Sequence, residues 1–143
     1  MRSAFSDDLA RLNRLDEAGF DGWLFRRGML FNESDNWWSG EPRRTPHEGL
    51  DFYRYRTIDG EVRNLDDSAL IPAAFDGDIV KMESDHLGIS IFMRHDIADD
   101  AGRRLYTIYG HSKPKYTARH NLEIKAGDVI GTIAAVDTGR RSP

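Results

Sequence analysis

The chain has 143 residues, the size of one domain, with 24 acidic and 20 basic residues and a formal net charge of −4. That balance argues against the basic stripe of a nucleic-acid surface, and no apolar run approaches the roughly 20 residues of a membrane span. There is no cysteine, which excludes disulfides, thiolate metal sites, iron–sulfur clusters and cysteine nucleophiles, so any metal must be held by His, Asp or Glu.

The opening reads as a helix. Ser6 suits an N-cap, Asp7 and Asp8 suit the first turn, and Phe5, Leu9 and Leu12 fall at i, i+4 and i+7. Gly19 is the expected stop. Ahead of the helix, Met1-Arg2-Ser3 is followed by no apolar stretch, so no signal peptide is visible. The expectation is either a cytoplasmic protein or a chain that starts after an export segment. From Asp21 to Arg44 the signals are those of a loop, rich in Trp23, Phe25, Phe31, Trp37 and Trp38. Bulky rings in such a segment serve more often as anchors than as a substrate platform.

After Asp51 the pattern turns to β. Phe52 to Ile58, Asp59-Gly60 and Glu61 to Arg63 predict a hairpin. Ile71 to Ala74 leads through Asp76-Gly77 into a strand from Asp78 to Met82. Ile89, Ile91 and Met93 alternate with Ser90, Phe92 and Arg94, as a half-buried strand does. Further strands are expected at Leu105 to Tyr109, Leu122 to Ile124 and Val129 to Ala134, the last two separated by the turn Ala126-Gly127-Asp128. The fold class is therefore mainly β: two packed antiparallel sheets or a barrel-sandwich-like core, with one N-terminal helix and long loops.

Two segments carry candidate chemistry. His47 and Asp51 form H-x-x-x-D. Along a straight strand four residues span about 13 Å, whereas two ligands of one zinc, each about 2 Å from the metal, lie about 3–3.5 Å apart. Chelation therefore requires a bend, which Gly49 permits and Pro46 approaches in fixed geometry. The second segment runs from Leu105 to Ser112. Alternation predicts Thr107, Tyr109 and His111 on one face, with Tyr106 and Ile108 on the other. A histidine at a strand end can act as a general base or stabilise an oxyanion, and it can equally be structural.

Taken in order, these pieces resemble a LytM/lysostaphin-type zinc metalloendopeptidase domain, a peptidoglycan hydrolase family with the duplicated hybrid motif. His47-Glu48-Gly49-Leu50-Asp51 matches its H-x-G-x-D. Pro72 to Val80 resembles its A-x-x-x-G-x-V turn and strand, and Gly88 to His95 resembles G-x-x-V-x-I-x-H. Tyr109-Gly110-His111-Ser112 resembles Y-x-H-L with Ser in place of Leu, and Ile124 to Gly131 resembles V-x-x-G-x-x-I-G. The likeness covers about residues 43 to 133. It implies a LytM-like β domain over 43–143, with residues 1–42 as a helix and aromatic loop packing on that core.

The resemblance also implies that His47 and Asp51 are Zn2+ ligands and that His111 is catalytic beside metal-activated water. The implied substrate is a peptidoglycan peptide or other peptide. The implied place of work is the cell envelope, periplasm or exterior, and no oligomeric state is implied. Glu48 is not the base of an H-E-x-x-H helix and is expected to face solvent or support the ligands from behind. Arg43 and Arg44 are candidates for pairing with substrate carboxylates or for a loop-surface role.

The family's late H-x-H motif, source of its third ligand, is missing before Pro143, which leaves the expected zinc site incomplete and favours truncation over degeneration. Among the other histidines, His95 is expected to be structural or cleft-lining and His86 solvated. His120 is a poor substitute for the missing ligand. Two further readings remain: a non-catalytic LytM-like module that binds peptidoglycan or regulates a hydrolase, and a biotinyl/lipoyl-type carrier. The carrier lacks a lysine at a suitable hairpin apex.

Overall fold

The computed structural model describes residues 2–117 and 122–135. Among the described residues the chain is mainly β, with one α-helix and two antiparallel sheets. Its internal contacts group into two compact units, one of residues 15–65 and one of residues 1–14 with 66–143.

Helix α1 spans Phe5–Leu12. It begins earlier than the sequence suggests. Ala4 is the N-cap residue, Ser6 lies inside the first turn, and the Ser3 hydroxyl accepts the Phe5 N–H at 3.1 Å. The helix also ends at Leu12, well before Gly19. The reason lies in Asn13, whose side chain donates to the Leu9 and Leu70 carbonyls and accepts the Leu70 N–H at 2.7 Å. Asn13 thus trades another helical turn for a strand-like pairing with residue 70, an exchange that Asn side chains make readily.

In the unit of residues 15–65, strands β1 (Phe20–Leu24), β2 (Arg54–Thr57) and β3 (Val62–Asn64) form a sheet in that order. The sequence suggested a loop for residues 21–44, but residues 20–24 form a strand. Asp21 and Gly22 disfavour a strand locally. Pairing with β2 and the contacts of Phe20 with Trp23 and Tyr55 override them. The hairpin of β2 and β3 stands as expected, with Gly60 in the left-handed region at φ +84°. A single 3₁₀ turn occupies Arg27–Met29, and Met29 is completely buried.

In the other unit, β4 (Leu70–Pro72), β5 (Gly77–Ser84), β6 (Ile89–Ala98), β7 (Arg104–Pro114), β8 (Leu122–Ile124) and β9 (Val129–Ile133) form one six-stranded sheet, in the order β4-β9-β7-β6-β5-β8. Connection lengths force this sheet to curl. A flat sheet would separate β8 from β9 by four strand spacings, about 19 Å. Residues 125–128 join them, and five residue steps reach at most about 17 Å. The sheet closes partway to a barrel around Ile71, Ala73, Ile79, Ile91, Met93, Tyr109, Ile124 and Ile130. The alternation expected along β6 is met, with Ile91, Met93 and His95 buried.

Candidate functional site

Each unit carries chemistry-bearing residues of its own. In residues 15–65, the segment from His47 to Asp51 is held by backbone bonds at both ends. His47 N–H donates to the Glu33 carbonyl, Asn32 N–H donates to the His47 carbonyl, and Asp51 N–H donates to the Met29 carbonyl. Between these anchors the chain bends at Gly49, as the spacing argument requires. His47 Nε2 and Asp51 Oδ1 come to 3.3 Å.

The far side of each group is tied as well. His47 Nδ1 lies 3.1 Å from the Leu30 carbonyl, which can only accept, so Nδ1 carries the proton. Trp37 donates its indole N–H to Asp51 Oδ2 at 2.9 Å. A neutral His47 therefore points a lone pair at a carboxylate oxygen. Two electron-rich atoms at 3.3 Å need a positive charge between them, either a second proton on the ring or a cation. The separation equals that of two ligands on one zinc, so the pair fits two of the ligand positions of the metal that the resemblance implies. The Nδ1 bond to a carbonyl is also the usual outer tie of a metal-ligating histidine.

Aromatic residues set the surroundings. Trp37 packs on Tyr53 and edge-on to Trp38, so its main role is to anchor the loop and hold Asp51. Arg43 donates to the Asp35 and Gly28 carbonyls and lies 5.2 Å from the centre of the Trp38 ring. Its guanidinium is committed to the loop. Glu48 is exposed, in keeping with the solvent-facing expectation.

In the other unit, His111 departs from the face that alternation predicts. Ile91 pairs with Tyr109 and Ile89 with Ser112, so three steps on β7 oppose two on β6. The extra residue is a β-bulge, and His111 sits in it with φ +57°. Ser112 takes the buried position after Tyr109, while the His111 side chain is turned out and 45% exposed.

What receives it is the turn Asp85 to Gly88, closed by the Asp85 N–H donating to the Gly88 carbonyl. Asp85 Oδ2 accepts the His111 backbone N–H and the Ser90 hydroxyl, both at 2.9 Å. Asp85 Oδ1 accepts the Leu87 N–H at 2.8 Å and lies 3.2 Å from His111 Nδ1. Burial raises the Asp85 pKa, but these four donors together outweigh it and hold the carboxyl well below the usual carboxylate range. The His86 ring stands edge-on to His111 with centroids 4.8 Å apart. Asp85, His86 and His111 thus form a cluster of ligand-type atoms that could hold a metal ion, all within 4.8 Å of one another.

An open groove of about 520 Å³ flanks the same turn, lined by Met82, Ser84, Ile89, Lys113, Pro114 and Tyr116 among others.

His95 is structural. It is fully buried, with Nδ1 2.8 Å from the Asp76 carbonyl and Nε2 2.8 Å from Thr107 Oγ1. His120 lies outside the described residues. The sequence reading missed Asp85. An Asp three residues before a Gly signals a turn, and nothing local ties it to a histidine 26 positions on. Comparison with family models, curated proteins and solved structures returned no match for this chain.

Proposed function

We propose that this chain is a zinc-dependent metalloendopeptidase-type domain of the LytM/lysostaphin kind, acting on peptidoglycan peptides. One observation carries the reading: His47 Nε2 and Asp51 Oδ1 stand 3.3 Å apart with their outer atoms already tied to Leu30 and Trp37. Residues of this type, bent onto one point and braced from behind, are a pre-organised pair of metal ligands. A zinc ion bound there would act as a Lewis acid toward water and the scissile carbonyl.

The chain's own residues do the rest. His47 and Asp51 would hold the metal, through Nε2 and Oδ1. Trp37 and the Leu30 carbonyl keep them from rotating away. The resemblance gives His111 the role of moving the proton of peptide hydrolysis, and its half-exposed ring is open to solvent for that role.

A second reading, a LytM-like module that binds peptidoglycan or regulates a partner hydrolase without turnover, rests on its own observation. Among the described residues of 15–65, no third His, Asp or Glu joins His47 and Asp51 as a ligand. Catalytic zinc sites normally have three protein ligands.

The deciding experiment measures zinc content and affinity of the full chain beside His47→Ala and His111→Ala, with hydrolysis of peptidoglycan stem peptides read in parallel. Stoichiometric zinc lost only in His47→Ala, with peptide cleavage, is the expected result. Zinc or peptidoglycan binding without cleavage would favour the second reading, and neither zinc nor peptidoglycan binding would overturn both.

A further inference from the structure

We infer that Asp85 is a positioning residue for His111, fixing its ring as the Nδ1–H tautomer so that Nε2 is the lone-pair atom turned outward. The consequence for catalysis rests on the reading above, in which His111 moves a proton. The tautomer itself does not depend on that reading.

Asp85 grips His111 at two points, one carboxylate oxygen on its backbone N–H and the other facing its ring Nδ1. The backbone grip matters because His111 occupies a bulge at φ +57°, a conformation that few non-glycine residues adopt unless the surroundings impose it. The remaining acceptor positions of the carboxylate are taken by the Leu87 N–H and the Ser90 hydroxyl. A carboxylate offers about four acceptor sites, and all four are used.

Two things follow. Asp85 has no free lone pair for a metal, so within the Asp85–His86–His111 cluster it acts behind His111. The ring nitrogen facing a saturated, ionised carboxylate must be the one that bears a proton. That leaves Nε2 as the base. Free neutral imidazole side chains favour the opposite tautomer, with the proton on Nε2, so the carboxylate reverses the intrinsic preference. Loss of the carboxylate gives up the correct tautomer even where the ring stays in place.

Side-chain 15N–1H correlation spectra of the full chain, taken above the histidine titration range, read the tautomer directly. The expected wild-type result is a His111 ring protonated on Nδ1. His95, whose Nδ1 faces the Asp76 carbonyl, serves as an internal reference with the same signature. In Asp85→Asn, His111 shifts to a majority of Nε2–H while His95 keeps its pattern, which a general loss of fold would not do.

If that variant does not fold, the wild-type spectrum still decides: a His111 ring protonated mainly on Nε2 overturns the proposal. So does an unchanged tautomer in a folded Asp85→Asn. Where the wild type cleaves peptides, the variant loses roughly 10²–10⁴-fold in kcat, the range of general acid–base catalysis, with KM little changed. A wild type that cleaves nothing sinks the peptidase reading and leaves the tautomer result standing.

Discussion

His95 has no exposed surface, and both ring nitrogens are engaged. Its Nδ1 must donate to the Asp76 carbonyl, so Nε2 accepts from the Thr107 hydroxyl. Thr107 Oγ1 lies 3.1 Å from Tyr109 Oη, which accepts the Ala74 N–H at 2.8 Å. With a neutral ring the donors run one way, from Ala74 through Tyr109 and Thr107 to His95 and Asp76, and every group is satisfied. Tyr109→Phe removes the middle of that chain and leaves the Ala74 N–H without its acceptor. It is expected to cost about 1–3 kcal/mol, read as a lower urea midpoint at unchanged m; an unchanged midpoint would show that water replaces the phenol without loss. Asp85 makes a prediction of the other kind. Its pKa is depressed in the folded state, so its contribution to stability is complete above the unfolded value of about 3.9 and is lost as pH falls from there toward the folded value. Asp85→Asn is expected to be about 1–3 kcal/mol less stable than wild type at pH 7 and to lose less than wild type between pH 5 and pH 2. Parallel stability curves over that range would contradict the assignment.

Glycine spacing is where single elements show why the sequence has the form it has. A Cβ on Gly88 would lie 2.7 Å from Ala134 Cβ and 2.8 Å from the Ser112 carbonyl oxygen. The turn between β5 and β6 can approach the bulged part of β7 and the end of β9 only because residue 88 has no side chain. Gly88→Ala is expected to destabilise by about 1–3 kcal/mol and to shift the His111 side-chain resonances, since the turn that carries Asp85 must move. A stable variant with unshifted His111 signals would mean that the turn yields without disturbing the bulge. The strands themselves were legible wherever burial is one-sided: Ile89, Ile91 and Met93 announce β6 by alternation, and Gly60 announces its hairpin. The bulge at His111 was not legible, because an extra residue is defined only by its pairing with Ile89 and Ile91 on another strand. Strand β1 was hidden for a similar reason: Asp21 and Gly22 speak locally for a loop, and only pairing with β2 overrules them. Gly49 permits the bend that brings His47 to Asp51, which the spacing required only for chelation, whereas the tie from Trp37 to Asp51 spans 14 residues and has no local signature.

Five histidines and a cysteine-free composition leave two places for metal chemistry among the described residues, and one titration can separate them. A ligand that binds only the folded state raises its apparent stability by RT ln(1 + [L]/Kd), about 2.7 kcal/mol when free zinc is 100 times Kd. At about 2–4 °C per kcal/mol for a chain near this size, the melting temperature should rise by roughly 5–10 °C. The His47–Asp51 pair predicts that this rise disappears in His47→Ala and Asp51→Ala and survives in His111→Ala. The Asp85–His86–His111 cluster predicts the reverse, with the rise lost in His86→Ala and His111→Ala. Trp37→Phe separates ligand from brace. It removes the indole N–H from Asp51 Oδ2 but leaves both proposed ligands, so the zinc-dependent rise should shrink without vanishing, by analogy with the 10–100-fold affinity cost of losing an outer partner of a ligand. A full rise in His47→Ala would remove zinc from residues 47 and 51 and the peptidase proposal with it. No rise in the wild type at millimolar zinc would mean that the charge between His47 Nε2 and Asp51 Oδ1 is a proton.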